Sequence, residues 1–119
     1  MAFLHVSRCE GNPAKIDIEA ADPQARTTEI VCQATPVGAV ADVTYTVRPG
    51  GAVIESPTPG TVIRVTVDGN GQVKQPVRLA PTLDTSKIFA AIDVTFTEVP
   101  AAGGFVPPPQ TCTAIIRIR

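Results

Sequence analysis

Four side chains of this 119-residue sequence could act as nucleophiles or bind a transition metal: His5, Cys9, Cys32 and Cys112. Together they have the composition of a Cys₃His zinc site, but no two cysteines have the short C-x-x-C spacing that commonly anchors such a site. A catalytic nucleophile needs an imidazole that a third group holds beside it. His5 lies in a terminal run, which is a poor place for that precision. We therefore predict an exposed histidine, no metal site and no cofactor.

The number of cysteines is odd, so at least one thiol has no partner within the chain. Cys32 and Cys112 both fall on the inward-facing phase of alternating runs, and a disulfide between them is the pairing we predict for an oxidising compartment. Cys9 can compete if the first strand lies beside either of them. In a reducing compartment all three would be small buried apolar side chains.

The acidic residues form no catalytic pattern. Asp68 and Asn70, in the segment DGNG, supply half of a calcium loop, but the distal glutamate that an EF-hand requires does not follow at the right spacing. Asp17, Glu19 and Asp93 alternate with apolar residues, which predicts solvent-facing positions on strands. No glycine-rich phosphate loop precedes a helix. These observations predict a protein that is not an enzyme.

The composition excludes several classes of partner. The net charge is −1 and charged residues make up 18% of the chain, so no basic field attracts nucleic acid or anionic lipid. No apolar run approaches the roughly 18 residues of a membrane helix, which predicts no membrane insertion. The N-terminus, MAFLHVSRCE, lacks the basic and apolar regions of a secretory signal. We expect a cytoplasmic or virion protein, unless a signal was removed.

Apolar and polar residues alternate in short runs that Pro and Gly separate, which is typical of antiparallel strands. The longest run covers residues 88–96 and predicts a central strand. Residues 1–119 are therefore predicted to form a single domain, an all-β, immunoglobulin-like antiparallel β-sandwich of seven to nine strands. The predicted inward-facing side chains are Ile16, Ile18, Ile30, Cys32, Val43, Tyr45, Val47, Ile63, Val65, Val67, Ile92, Val94, Phe96, Ala114 and Ile116.

The clearest local signal lies in residues 60–81, where two alternating runs flank Asp68-Gly69-Asn70-Gly71. A three-residue loop would pair Val67 with Val73, and a left-handed Gly71 would close it while Asp68 accepts hydrogen bonds from the turn. A connection between two sheets is the alternative to this hairpin. Pro76 cannot donate to a ladder, which predicts an edge strand or a bulge in the second run. An Ala14–Ala20 alternation predicts another strand near the N-terminus.

The segment VTVDGNGQV, residues 65–73, resembles the strand–turn–strand segment of bacterial immunoglobulin-like modules. In that family a T-D-x-x-G-x pattern precedes a strand, and Val67 stands here in place of the threonine. The resemblance implies an immunoglobulin-like module of a surface or phage structural protein, and it implies no catalytic residues. Because the chain has no Trp, the Cys-Trp-Cys core of antibody domains is absent.

The loop of residues 99–110, VPAAGGFVPPPQ, contains no charge. An uncharged apolar loop on a small domain either packs onto its own sandwich or meets a partner, since it is unlikely to remain bare. Its three consecutive prolines favour an extended polyproline conformation. The candidate interaction residues are Phe105, Val106, Pro107, Pro108 and Pro109.

The function that fits these features best is a non-enzymatic structural or assembly module, such as a virion, tail or surface-appendage component. Its partners would be proteins, including other copies of the chain, and the terminal runs 2–7 and 111–119 could pair by strand addition. The alternative is a ligand-binding accessory module for peptide or carbohydrate. A sugar platform usually displays Trp or Tyr, and this chain has no Trp and one inward Tyr, although Phe3, Phe89 and Phe105 have exposed phases or lie in loops. An enzyme fits least, since β-sandwich metal sites need several histidines.

Overall fold

A computed structural model describes residues 3–48, 52–81, 88–100 and 104–118. These residues form eight strands and one short 3₁₀ helix, Pro23–Arg26. No helix in the described ranges is long and apolar enough to cross a membrane. The strands are β1 (His5–Asn12), β2 (Thr27–Thr35), β3 (Val40–Val47), β4 (Ile54–Ser56), β5 (Ile63–Thr66), β6 (Gln72–Leu79), β7 (Phe89–Glu98) and β8 (Gln110–Arg117).

The strands form two four-stranded antiparallel sheets that enclose one core. The first sheet has the order β1-β2-β6-β4 and the second has the order β5-β3-β7-β8. Along the strands, buried apolar residues alternate with exposed or half-buried ones, as the burial of every second residue in β7 shows. This period of two turns one face of each sheet inward, so the predicted all-β sandwich architecture is confirmed.

The core includes most of the side chains that the alternation assigns to it, together with others such as Leu4, Val77 and Leu79. Tyr45, Phe96 and Ile92 are among the largest fully buried side chains. Twelve of the predicted inward residues are buried: Ile16, Ile18, Ile30, Cys32, Val43, Tyr45, Val67, Ile92, Val94, Phe96, Ala114 and Ile116. The other three, Val47, Ile63 and Val65, are partly buried and pack against this cluster.

The predicted hairpin at residues 60–81 is wrong, and its alternative is correct. β5 pairs with β3 in one sheet, whereas β6 pairs with β2 and β4 in the other, so the turn connects the sheets. The turn itself has the expected chemistry. Gly71 has a φ of 72°, and Asp68 Oδ1 accepts hydrogen bonds from the Asn70 and Gln72 amides at 2.9 and 3.0 Å. Local sequence therefore determined the turn, and side-chain burial on two sheets decided what it joins.

β6 is not the edge strand that Pro76 predicts. It lies between β2 and β4, and Pro76 is in register with Glu29 of β2. β4, however, reaches only Leu79 and Arg78 of β6 and its register shifts there. At Pro76, β6 is paired with β2 alone. An inner strand can therefore contain this proline, because no N–H donor is needed there for β4.

The run that predicts a strand at 14–20 does not form one. The segment 14–18 instead lies along the end of β8, with a single parallel bridge between Lys15 and Arg117. The Arg117 amide donates to the Ala14 carbonyl at 2.8 Å, and the Ile16 amide donates to the Arg117 carbonyl at 2.9 Å. Ile16 and Ile18 are buried as the alternation predicts. The polar residues Asp84, Thr85 and Ser86, whose sequence allows one helical turn, lie outside the described residues.

Candidate protein-interaction site

One end of the sandwich carries an apolar groove, which we call the Phe groove. The turn between β2 and β3 forms one wall, and it is closed by hydrogen bonds from the Gly38 amide to the Val67 carbonyl (2.9 Å) and from the Ala39 amide to the Pro36 carbonyl (3.1 Å). Gly38 has a φ of 87°, which favours glycine. The groove has a volume of about 660 Å³ and is lined by Phe3, Pro36, Val37, Gly38, Ala39, Val40, Arg64, Glu98, Val99, Pro100, Gly104 and Phe105.

Two phenylalanines meet at this groove. The ring centroids of Phe3 and Phe105 are 6.0 Å apart with an interplanar angle of 63°, an edge-to-face arrangement. Phe105 is nevertheless 69% exposed, and Phe3, Val37 and Val106 are exposed as well. Of the predicted interaction residues, Phe105 thus packs partly onto its own domain, and Phe105 and Val106 leave most of their apolar surface in solvent. Pro107 is half-buried, whereas the next two prolines are exposed.

The charged residues at the Phe groove are already engaged. Arg64 donates two hydrogen bonds to the Asp42 carboxylate, at 3.0 and 3.2 Å. This hydrogen-bonded guanidinium lowers the pKa of Asp42. Glu98 Oε1 accepts a hydrogen bond from the Leu4 amide at 2.5 Å. A partner that enters the groove would therefore meet mainly apolar surface, because the charged groups at the rim of the groove are already hydrogen-bonded.

A second apolar patch lies at the other end of the second sheet. Ile88, Phe89 and Ile115 are exposed there, and Phe89 and Ile115 lie on the same outer face, because their neighbours Ala90 and Ala114 are buried. Phe89 and Glu98 are the two ends of β7, a ten-residue strand. At roughly 3.3 Å per residue the strand places this patch about 30 Å from the Phe groove.

The outer face of the first sheet has a contrasting surface, a polar depression of about 470 Å³. Three charged residues, Glu10, Glu29 and Lys74, line it together with residues that carry amide side chains. No aromatic ring lines it. Such a surface offers hydrogen bonds to a polar ligand without a stacking platform. Its lining is Glu10, Gly11, Asn12, Ala14, Glu29, Val31, Gln33, Gln72 and Lys74.

The predicted Cys32–Cys112 disulfide is wrong: Cys32 is bonded to Cys9. The reason is strand order. β1 pairs directly with β2 and places Cys9 opposite Cys32, whereas Cys112 lies on β8 of the other sheet, opposite Val94. Cys112 is a free thiol and half-buried. Burial raises its pKa, while hydrogen bonds with the backbone of Cys9 and Thr113 oppose that rise.

The remaining sequence candidates do not assemble into a reactive site. His5 is exposed and lies opposite Thr35 at the start of β1. Asp93 is bonded to Arg48 and Thr113; partial burial alone would raise its pKa, and these hydrogen bonds lower it overall. Asp17 accepts a hydrogen bond from the Glu19 amide in a turn, so it is not on a strand. Within the described ranges, no three His, Cys, Asp or Glu side chains could share a metal ion.

The sequence gives no signal for the most buried charge of the described residues. Arg26 is 5% exposed, although it follows a polar loop and belongs to no alternating run. Its guanidinium donates to the carbonyls of Ala20 and Leu79 at 3.0 and 2.7 Å and to Glu55 Oε2 at 2.7 Å. Arg78 donates to the same carboxylate oxygen at 3.2 Å. The hydrogen bond from Arg26 is the largest cause that lowers the pKa of Glu55. This network ties the 3₁₀ helix to β4 and β6.

Tyr45 is a second buried polar side chain: the alternation placed it inside correctly but did not reveal its surroundings. Its hydroxyl is buried and has no hydrogen-bond partner in the described part of the chain. Burial raises the pKa of Tyr45 to about 12. A buried hydroxyl without a hydrogen-bond partner is a cost to stability.

No known protein family matches the chain. No curated protein and no solved structure matches it either.

Proposed function

We propose that the chain is a structural or assembly module that acts through protein–protein contacts and not by catalysis. The observation that carries this proposal is the Phe groove, in which Phe105, Phe3 and Val37 hold exposed apolar surface around a concave space. Contiguous apolar surface of this kind marks interaction sites on small domains. Its charged rim is already paired, so affinity would come from apolar burial and not from charge.

The class of assembly that we propose is a virion, tail or surface-appendage component, built on an immunoglobulin-like module. The strand order supports the second part. Immunoglobulin constant domains have strands A, B, E and D in one sheet and C, F and G in the other. β1, β2, β6 and β4 correspond in order to the first set, and β3, β7 and β8 correspond to the second. β5 is an addition: it follows β4 in sequence but lies beside β3.

The test is solution mass by size exclusion with light scattering over a concentration series, with and without reductant. The expected result is a discrete oligomer, or a stable complex with a partner protein, that survives reductant. Phe105→Ser should abolish it, because the exposed ring at the groove is lost. Val53→Ser is the matched control, since Val53 is also exposed but does not line the groove. A wild-type monomer at every concentration, together with no protein partner, would contradict the proposal.

A second candidate function, a ligand-binding accessory module for peptide or carbohydrate, rests on the polar depression. Lys74, Glu10 and Glu29 there can bond to hydroxyl or amide groups. Screening on glycan and peptide arrays tests it, with Lys74→Met as the site variant. Signal that the variant abolishes would favour binding at the depression, and an empty array would remove this candidate.

A further inference from the structure

The three cysteines of the chain converge from three strands on one side of the sandwich. Cys9 and Cys32 belong to the buried core and Cys112 packs against it. Contacts on either side place Cys112 beside Cys9: Gln110 of β8 accepts a hydrogen bond from the Val6 amide of β1, and Ile116 Cδ1 lies against Gly11. The Cys112 thiol also lies near the backbone of Cys9. A thiol held beside a disulfide is the geometry that thiol–disulfide exchange requires.

We propose that Cys112 is a built-in exchange partner of the Cys9–Cys32 disulfide, able to take Cys9 from Cys32. In this step the Cys112 thiol loses its proton and its sulfur attacks Sγ of Cys9. The Cys9–Cys32 bond breaks, a Cys9–Cys112 bond forms, and Cys32 leaves as a thiolate that takes up a proton. One disulfide and one thiol are present before and after, so the step needs no external oxidant or reductant.

Strand order selects Cys9 as the sulfur that is attacked. β1 is the outer strand of the first sheet, and β2 lies beyond it. The Cα atoms of Cys9 and Cys32 are 3.9 Å apart on adjacent strands, so Cys32 lies one strand further from β8 than Cys9 does. The two Cα atoms of a disulfide usually lie no more than about 6.8 Å apart. The additional strand between Cys32 and β8 makes this distance harder to reach for Cys32 and Cys112. The bond that can form is therefore Cys9–Cys112, not Cys32–Cys112.

The exchange would change what the disulfide connects. The Cys9–Cys32 bond lies within one sheet and closes a loop of sequence separation 23. A Cys9–Cys112 bond would join the two sheets and tie the first strand of the chain to the last. A force that pulls on the segments before Cys9 and after Cys112 would then be carried by this bond and not by the residues between the two cysteines. The exchange is thus a covalent device that decides whether the sandwich can be opened from its terminal strands.

The chain permits a direct test, because trypsin places each cysteine in a different peptide: residues 9–15, 27–64 and 88–117. Dilute protein is incubated for hours in a buffer of reduced and oxidised glutathione and quenched with acid. Its free thiols are then alkylated before digestion and mass spectrometry. In the wild type we expect both the 9–15/27–64 and the 9–15/88–117 linked pairs. If only the first pair ever forms, the proposal is overturned.

Two variants make the test specific. Cys32→Ala should form the Cys9–Cys112 bond, whereas Cys9→Ala should leave Cys32 and Cys112 alkylated; we expect about tenfold more linked peptide in the first, since strand spacing separates the pairs. Equal yields in both would overturn the assignment of Cys9 as the shared sulfur. Far-UV circular dichroism checks that each variant folds. If a variant does not fold, the wild-type measurement still tests the proposal, because it requires no substitution. Cys112→Ala is the control that should show the Cys9–Cys32 pair alone.

Discussion

The outermost strands are protected in different ways on the two long sides of the sandwich. On one side, which we call the seam, β1 meets β8. Gln110 of β8 accepts from the Val6 amide at 3.0 Å and donates to the Leu4 carbonyl at 2.6 Å, and the segment 14–18 covers the end of β8. On the opposite side the edge strands β4 and β5 have only three and four residues. That side is held instead by the buried Arg26 network.

The contrast shows two solutions to one problem. An unpaired strand edge invites pairing with another chain, and proteins limit this either by covering the edge or by keeping it short. At the seam the strand edges are covered, whereas on the β4–β5 side the edge strands are short. The backbone groups of Leu4, Val6 and Arg117 are already bonded, so these positions are not free to pair with another chain. Pairing of the terminal strands with a partner stays a prediction.

The largest expected effect tests the β4–β5 side. Arg26→Ala should lower the free energy of unfolding by about 2–4 kcal/mol, because it leaves the buried Leu79 carbonyl without its donor and Glu55 without one of its two arginines. Chemical denaturation measures it. Arg78→Ala is the matched control, because the Arg78 side chain contacts the same carboxylate but is 37% exposed. This substitution should lower the free energy of unfolding much less than Arg26→Ala does. Equal losses would mean that burial of Arg26 is not what holds this side.

The second prediction tests how tightly the seam is packed. A Cβ on Gly11 would overlap Ile116 Cδ1 and lie 3.0 Å from Thr28 Oγ1, and both side chains are buried. Gly11→Ala should therefore destabilise the protein by about 1–3 kcal/mol, as overpacking does. Gly69→Ala serves as control, since nothing lies within 4 Å of its Cβ position. A neutral Gly11→Ala in thermal denaturation would show that the seam is loose.

The third prediction separates the cover of the seam from its packing. Gln110→Ala removes two hydrogen bonds to the backbone of the first strand and should cost about 1–2 kcal/mol. Hydrogen exchange at the Val6 amide should accelerate most, because that amide loses its acceptor. Gln24→Ala, at an exposed glutamine of the 3₁₀ helix, is the control. Unchanged protection of Val6 would contradict the idea that side chains cover this edge.

The smallest expected effect concerns the interior that both sides share. Tyr45→Phe should raise the free energy of unfolding by about 1 kcal/mol at neutral pH, because it removes a buried hydroxyl without a partner. Between pH 10 and 12 the unfolded wild type loses the tyrosine proton while the folded protein keeps it, so wild-type stability should fall as pH rises. The variant should lack this part of the fall.

Two measurements check the tyrosine prediction. Urea denaturation at pH 8 and at pH 11 compares the two proteins, and lysine deprotonation cancels in the difference. Tyr45 is the only tyrosine of the chain, so tyrosinate absorbance reports its ionisation directly. If the folded protein titrates near pH 10, the hydroxyl is not buried in apolar surroundings.

Local alternation was sufficient to predict the inward phase of the long strands. Phe96, Val94 and Ile92 alternate with polar neighbours, and in a strand that spacing alone selects one face. The turn at Asp68 was equally predictable, since Gly71 supplies a left-handed backbone and Asp68 an acceptor. For Phe105 and Val106 the uncharged, proline-rich loop left packing onto the sandwich and contact with a partner open, and both side chains are exposed. Their part in a contact with another protein stays a prediction.

What the sequence by itself determined is therefore the burial phase of the strands and the chemistry of single turns, because both depend on residues near one another in the chain. The tertiary structure decided which strands are neighbours. It placed β5 and β6 in different sheets, put Cys9 and not Cys112 beside Cys32, and buried Arg26 under a carbonyl and a carboxylate from distant strands. Alternation gives each strand an inward face, but strands with the same pattern are interchangeable until packing of the whole core fixes their order.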